Sequence, residues 1–119
     1  MSHSPQDVHK KVLGKKGEKL VEEYLKKQGF KILKRNYHTP FGEADIVAQD
    51  GDEIAFIEVK TRSSDKYGSP AEAVTRQKRE RYMQIAKFYW LSTGEEPNAR
   101  FDVAQVFSDG GMDYIKNAF

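Results

Sequence analysis

The chain of 119 residues contains no cysteine, and this absence excludes several kinds of site. Disulfides, thiolate-held metal centres and cysteine nucleophiles all need a sulfur atom. The chain also lacks any apolar run near the roughly 20 residues that a membrane span requires. Its start, MSHSPQDVHKK, holds no apolar stretch of the kind found in signal peptides. We therefore expect one cytoplasmic domain over residues 1–119, with a disordered N-terminal segment within residues 1–9.

The chain also has little excess charge of either sign. Its 20 Lys and Arg residues nearly balance 18 Asp and Glu residues, so the net charge is only +2. Total charge therefore says little about partners. The basic residues concentrate at two predicted helix starts, and these would suit a phosphate backbone. Lysine-rich helix faces are also ordinary solvated surface. None of the three histidines is spaced for a zinc site.

The stretch Glu53–Arg62, EIAFIEVKTR, is predicted to be a central strand. Its middle is apolar on both faces, as in a strand that is covered from both sides. Glu58 and Lys60 follow near its end, and both point to the same face because side chains alternate along a strand. A carboxylate and an ammonium side by side at the end of a buried strand indicate a polar site.

A second predicted strand, Glu43–Gln49, precedes it, and Asp50-Gly51 between the two is a strong hairpin signal. A turn at residues 50–51 would place Glu43 opposite Glu58, whereas a turn at residues 51–52 would place Asp45 there. The two registers differ by an even step, so each side chain keeps its face. The residues expected to share one face are Glu43, Asp45, Glu58 and Lys60.

Three carboxylates within cross-strand reach repel one another unless a cation compensates their charge. A hard divalent cation prefers oxygen ligands, so Asp45 and Glu58 are the predicted ligands of Mg²⁺ or Mn²⁺. Lys60 would then lie beside the activated water or the scissile phosphate, an arrangement suited to metal-assisted phosphodiester hydrolysis. A surface cluster of salt bridges at a strand end is an equally open interpretation of the same residues.

The spacing of apolar residues predicts helices at Gln6–Gln28 and Pro70–Ser92. Further strands are predicted at Phe30–Tyr37, Arg100–Phe107 and Met112–Phe119, with a loop at Asn36–Gly42. Asp102 is expected to pair with an arginine. The order is then α-β-β-β-α-β-β, an α/β fold with a mixed central sheet flanked by helices in three layers.

The second predicted helix continues its apolar stripe into basic residues. Ile85 and Phe88 belong to the stripe, and Lys78 and Arg81 extend it toward the start of the helix. We expect Lys78, assisted by Gln77 and Arg81, to contact a nucleic-acid phosphate. In the alternative interpretation their aliphatic stems cover the edge of the core.

Four short motifs occur in a fixed order: Gly17-Glu18, Gly42-Glu43-Ala44-Asp45, Phe56-Ile57-Glu58-Val59-Lys60-Thr61-Arg62 and Arg100-Phe101-Asp102-Val103. Asp45 followed by Glu58-Val59-Lys60 resembles the PD-(D/E)xK nuclease signature. The whole set, from about Gly14 to Val106, resembles the bacterial YraN-like family, uncharacterised protein family 0102. That family is similar to archaeal Holliday-junction resolvases. Ala44 and Ile46 depart from the pattern, since a larger aliphatic residue and a leucine are expected there.

The resemblance implies a restriction-endonuclease-like fold and a divalent-metal-dependent endonuclease that acts on branched or structured DNA. It implies that Glu18 and Glu43 are further acidic members of the site, that the Val59 carbonyl is a metal ligand, and that Arg62 contacts nucleic acid. Two other classes remain open, a nucleic-acid-binding module without turnover and a protein-interaction adaptor. A domain of this size would need a homodimer to cut two strands symmetrically.

Overall fold

The computed structural model describes residues 5–64 and 75–119, with side chains from residue 16 onward. The elements in chain order are α1 (Pro5–Lys27), β1 (Lys31–Thr39), β2 (Gly42–Asp50), β3 (Glu53–Arg62), α2 (Arg76–Thr93), β4 (Ala99–Phe107) and β5 (Met112–Ile115). This order confirms the predicted α-β-β-β-α-β-β sequence of elements. Neither helix, over the residues described, is long and apolar enough to cross a membrane.

The five strands form one mixed sheet in the order β1-β2-β3-β4-β5. The pairs β1–β2, β2–β3 and β4–β5 are antiparallel, whereas β3 and β4 run parallel. Parallel neighbours need a long crossover connection, and α2 belongs to that crossover. The strand β3 therefore lies in the middle of the sheet, as its doubly apolar sequence predicts.

Adjacent side chains of β3 pack against different helices. Ile57 belongs to a core cluster with Val21 of α1, which we call the α1-side core. Phe56 belongs to a second cluster with Tyr82 and Ile85 of α2, which we call the α2-side core. Because neighbouring residues of a strand point to opposite faces, the two helices cover opposite faces of the sheet. The predicted three-layer arrangement is confirmed.

The strand β1 runs to Thr39, so the prediction of a loop at residues 36–42 is wrong for residues 36–39. The Tyr37 ring explains the longer strand, because it packs against Tyr89 of α2 with ring centroids 6.0 Å apart. Asn36 has a φ of +48°, in the left-handed region, so the backbone is locally not extended there, but the strand continues beyond it. Only residues 40–41 form the turn to β2.

The described part of α2 begins at Arg76, and Thr75 caps it. The Thr75 hydroxyl oxygen accepts a hydrogen bond from the Lys78 backbone N–H at 3.1 Å, which satisfies one of the unpaired donors of the first turn. Thr75 is extended, at φ −74° and ψ 156°, so the helix predicted to run continuously from Pro70 is wrong at this residue, and residues 70–74 lie outside the described part of the chain. The helix ends at Thr93, followed by Gly94 in the left-handed conformation at φ +79°.

The fully buried Asp102 joins β4 to the C-terminal segment. Its carboxylate accepts hydrogen bonds from Arg100 Nε at 3.0 Å, the Tyr114 hydroxyl at 2.6 Å and the Asn117 backbone N–H at 2.9 Å. The expected pairing with an arginine is confirmed. The segment after β5 then reaches the α2-side core, where the Phe119 ring packs 4.8 Å from that of Tyr82.

Candidate functional site

The β2–β3 hairpin sets the position of the two central acidic residues. Asp50 pairs with Glu53, so the turn lies at residues 51–52, the second of the two registers that the sequence allows. The pairing extends from this turn to residues 46 and 57. Asp45 and Glu58 come next on their strands. The two carboxylates are therefore placed where the paired part of the hairpin ends.

A side chain takes part in the backbone hydrogen bonding at this point. The Val59 N–H donates to Asp45 Oδ2 at 2.7 Å. On the same strand, Ala44 belongs to the α2-side core and Ile46 to the α1-side core, although regular alternation would put them on one face. The β2 backbone is thus irregular at Asp45, and the bond to Val59 fixes its carboxylate against the end of β3.

The surroundings of Asp45 disfavour its charge. Burial raises the pKa of the Asp45 carboxyl above its ordinary value, and the negative charges of Glu43 and Glu58 raise it further. The Val59 N–H bond and the positive charge of Lys78 oppose that rise in part. An ionised Asp45 is therefore held in a place with too little compensating positive charge, a feature that is typical of functional sites.

Glu58 forms an ion pair that the sequence does not predict. Its Oε2 lies 2.6 Å from the Lys78 Nζ, and both side chains are only 21% exposed. This Oε2 is buried, and no described residue other than Lys78 compensates it. The lysine therefore acts chiefly as a counter-ion. The structure places Lys78 on the carboxylate itself, whereas the sequence predicts only a phosphate contact.

Lys60 lies two residues after Glu58 on β3 and is half-buried. Strand alternation puts both side chains on the face that α2 covers, as predicted. The Thr61 side chain, on the other face, lies against Gly17 of α1, where an added Cβ would come within 3.2 Å of the Thr61 methyl. Glu18 follows Gly17 on α1 and is half-buried, so it lies on the helix opposite to the face of Glu58.

Glu43 lies opposite His38 of β1, and because its neighbour Ala44 belongs to the α2-side core, alternation turns Glu43 away from the face of Glu58, contrary to the prediction. The His38 Nδ1 lies 3.5 Å from the Glu43 carboxylate, and both side chains are exposed. Among the side chains that the structure describes, at residues 16–64 and 75–119, no three acidic or histidine groups come together in a way that could hold a metal ion. The closest arrangement to the predicted cluster is the pair Asp45 and Glu58, with Glu43 near enough to affect the pKa of Asp45.

Of the other predicted nucleic-acid contacts, Arg81 lies near this pair, since its charge acts on Tyr82. Gln77 and Arg81 are exposed on the first turns of α2. The stem of Arg81 crosses Gly42, where a Cβ would come within 2.8 Å of Arg81 Cδ and where φ is +140°. Arg62, at the end of β3, donates from Nη1 to the Gln105 side-chain oxygen at 2.7 Å.

Tyr82 is a site residue that the sequence analysis missed. Its ring is buried between Phe101 and Phe119 at centroid distances of 5.9 and 4.8 Å. Burial raises the pKa of its hydroxyl, and the nearby charges of Glu58 and Asp45 raise it further. The Tyr82 hydroxyl therefore stays neutral, and it lies within the electrostatic influence of the two carboxylates. Its position one helical turn after Lys78 was the available signal.

The mixed five-stranded sheet with helices on both faces is the restriction-endonuclease-like α/β fold. The solved structure of Archaeoglobus fulgidus Hjc, a Holliday junction resolvase, is similar in fold, with a TM-score of 0.55. Its sequence is 22% identical, and the match covers 83% of this chain and 72% of that one.

The sequence model of the uncharacterised protein family UPF0102 matches residues 17–106, and the chain belongs to this family. A UPF0102 protein of Thermodesulfovibrio yellowstonii is 46% identical over 107 residues, which cover 90% of this chain and 95% of the relative. A UPF0102 protein of Syntrophus aciditrophicus is 49% identical over 110 residues, which cover 89% and 87%. The family membership implied by the motifs is thereby confirmed.

Proposed function

We propose that this protein is a divalent-metal-dependent endonuclease that hydrolyses phosphodiester bonds in branched or otherwise structured DNA. The observation that carries the proposal is the pair Asp45 and Glu58 at the end of the hairpin pairing, with the Asp45 carboxylate tied to the Val59 N–H at 2.7 Å. Lys60 follows on the same strand. The fold shared with a Holliday junction resolvase supports the same class of activity.

The donor set suits a small hard cation. Mg²⁺ is usually held by one or two carboxylates together with water, so two carboxylates are sufficient. Glu58 Oε2 is buried with Lys78 as its counter-ion, and burial together with the charges of Glu43 and Glu58 raises the pKa of Asp45, so a second cation would be accommodated there. We assign Asp45 and Glu58, with the Val59 carbonyl, as ligands of Mg²⁺ or Mn²⁺. When bound, the metal would lower the pKa of a water and polarise the phosphate.

The surrounding residues would bind and orient the substrate. We assign Lys60 to orient the attacking water or to stabilise the negative charge that develops on the phosphate in the transition state. Glu43, whose charge raises the pKa of Asp45, supplies further negative charge at the edge of the site. Glu18 is carried by the helix on the opposite face and would reach the site around the end of β3. The proposed contacts to the DNA backbone are Lys78, Arg81, Gln77 and Arg62.

No element that reads base edges is evident in the described residues, so we propose recognition of DNA shape. Symmetric cutting of two strands would be achieved by a homodimer. In a bacterial cell such a substrate implies a cytoplasmic location.

A nucleic-acid-binding module without turnover is the second candidate, and the Lys78–Glu58 ion pair favours it. A carboxylate that is permanently neutralised by lysine would not hold a metal. The basic start of α2 would then serve binding alone. The two candidates differ in what a divalent cation does to the protein.

A cleavage assay tests the proposal. The purified protein is incubated with labelled four-way junction, flap, single-stranded and duplex DNA in Mg²⁺, Mn²⁺ or EDTA, beside the variant Asp45→Asn/Lys60→Ala. We expect metal-dependent cutting by the wild type and none by the variant. Binding without cutting would support the second candidate, and neither binding nor cutting would contradict both.

A further inference from the structure

The ion pair between Lys78 and Glu58 joins α2 to the end of β3. Lys78 lies in the first turn of α2, and its backbone N–H is held by the Thr75 cap. Its Nζ reaches Glu58 Oε2 at 2.6 Å, and both side chains are 21% exposed. The basic start of the helix is thereby directed onto a proposed metal ligand.

The ion pair between Lys78 and Glu58 is one in which another cation could replace the lysine. A largely buried ion pair gains little net free energy, because removing both charges from water offsets most of their attraction. Here no other described residue holds the buried Oε2, so Lys78 alone compensates its charge. The charge of Lys78 acts on Asp45 as well, since it lowers the pKa of that carboxyl. Another cation bound between the carboxylates of Asp45 and Glu58 would supply the positive charge that Lys78 now supplies.

We propose that Lys78 is the resident counter-ion of Glu58 and that a divalent cation displaces it, which frees its ammonium for a DNA phosphate. Lys78 is then a positioning residue that links occupation of the site to substrate binding. The inference rests on the proposed function, because it takes Glu58 as a metal ligand. It assigns the phosphate contact of Lys78 to the metal-bound protein alone.

Thermodynamic linkage then requires that cation binding and DNA binding strengthen each other. A cation that releases Lys78 strengthens DNA binding, and DNA that holds Lys78 strengthens cation binding by the same factor. A lysine that remains on Glu58 as a fixed counter-ion gives no such coupling. The two arrangements therefore differ in measurable affinities.

The test measures Mn²⁺ binding by calorimetry, and four-way-junction binding by fluorescence anisotropy in EDTA and in Ca²⁺ over a series of salt concentrations. Gels run in parallel check that the junction stays intact. The variants are Lys78→Met and Arg79→Met. The latter removes one positive charge from an exposed position of the same helix turn and controls for general electrostatics. Melting curves confirm that both variants fold.

For the wild type we expect Ca²⁺ to raise junction affinity about fivefold or more, and to steepen the dependence of log K on log salt by about one unit. Lys78→Met should bind Mn²⁺ roughly 5- to 10-fold more tightly, because the competing ammonium is gone. It should also lose both effects of Ca²⁺ on junction binding. Arg79→Met should keep both.

Unchanged or weaker Mn²⁺ binding by Lys78→Met would overturn the inference, as would a Ca²⁺ effect that persists in that variant. Either result, with metal-dependent cutting by the wild type, would leave the proposed nuclease intact. If the wild type binds no divalent cation and cuts no DNA, the proposed function and this inference fail together.

Discussion

Replacing Asp45 by asparagine should stabilise the metal-free protein. The amide oxygen of asparagine can still accept the hydrogen bond from the Val59 N–H, which Asp45 Oδ2 accepts at 2.7 Å. The substitution therefore keeps the main contact and removes the charge. Burial and the neighbouring carboxylates of Glu43 and Glu58 disfavour that charge, and they outweigh the attraction to Lys78.

The direction of the pKa shift gives the sign of the effect, and its size is that of other substitutions that relieve an unfavourable interaction at a functional position. Asp45 is partly exposed, and solvent screening reduces its interactions. We expect a gain of about 0.5–1.5 kcal/mol near pH 7, in line with the cost of many functional residues. For a domain of this size that corresponds to a rise in Tm of roughly 2–6 °C.

The gain should depend on pH in a defined direction. The folded pKa of Asp45 lies above the unfolded value, which is about 3.9. Between these two values the native state binds more protons than the unfolded chain, so the contribution of Asp45 to stability falls as pH rises. The penalty is complete above the folded pKa and absent below the unfolded one. The advantage of Asp45→Asn should therefore vanish on acidification below about pH 3.9.

The assay is thermal unfolding in EDTA across this pH range, followed by circular dichroism. The matched control is Asp113→Asn, which changes an exposed aspartate of β5 and should leave Tm unchanged near pH 7. A lower Tm for Asp45→Asn at neutral pH would refute the reasoning, because it would mean that the charge stabilises the fold. Added Mn²⁺ should raise the Tm of the wild type and not that of Asp45→Asn.

Three further substitutions test other parts of the account. Asp102→Ala should cost about 3–5 kcal/mol in urea unfolding, because it leaves the buried Arg100 guanidinium without its main partner; a loss below about 1 kcal/mol would count against this. Gly42→Ala should cost about 1–3 kcal/mol through its φ of +140° and the close stem of Arg81, and an unchanged Tm would argue otherwise. Tyr82→Phe should keep the ring packing and Tm but slow cleavage about tenfold or more through loss of a donor; an equal rate would remove Tyr82 from the site.

The hairpin shows how far local pattern determines the site. The alternation of side chains predicts that Glu43, Asp45, Glu58 and Lys60 share one face in both registers. It holds for Glu58 and Lys60 on β3, whereas β2 is irregular at Asp45, so the face of Glu43 does not follow from it. The sequence does not select the register, because either turn position includes Gly51. In the structure Arg100 Nη1 binds both Asp50 and Glu53, at 2.8 and 3.1 Å, and so joins the pair that closes the turn. That contact comes from β4, almost fifty residues later in the sequence.

The contacts made by α2 show where local pattern is insufficient. Helical spacing predicts that Lys78 lies on the core-facing stripe, and this is confirmed by its contact with β3. Its partner Glu58 depends on how the crossover helix docks over the sheet, which periodicity does not specify. Tyr82 was missed for the same reason. Its ring is enclosed by Phe101 of β4 and by Phe119, residues distant in sequence.

The most direct test of the central claim is single-turnover cleavage of the best DNA substrate as a function of Mg²⁺ concentration. The proteins compared are the wild type, Glu58→Gln and the exposed control Asp113→Asn. We predict cleavage that requires Mg²⁺, a loss of at least about 100-fold in Glu58→Gln, and a wild-type rate in Asp113→Asn. Cleavage by Glu58→Gln at a rate near that of the wild type, or cleavage by the wild type in EDTA, would contradict the assignment of this site.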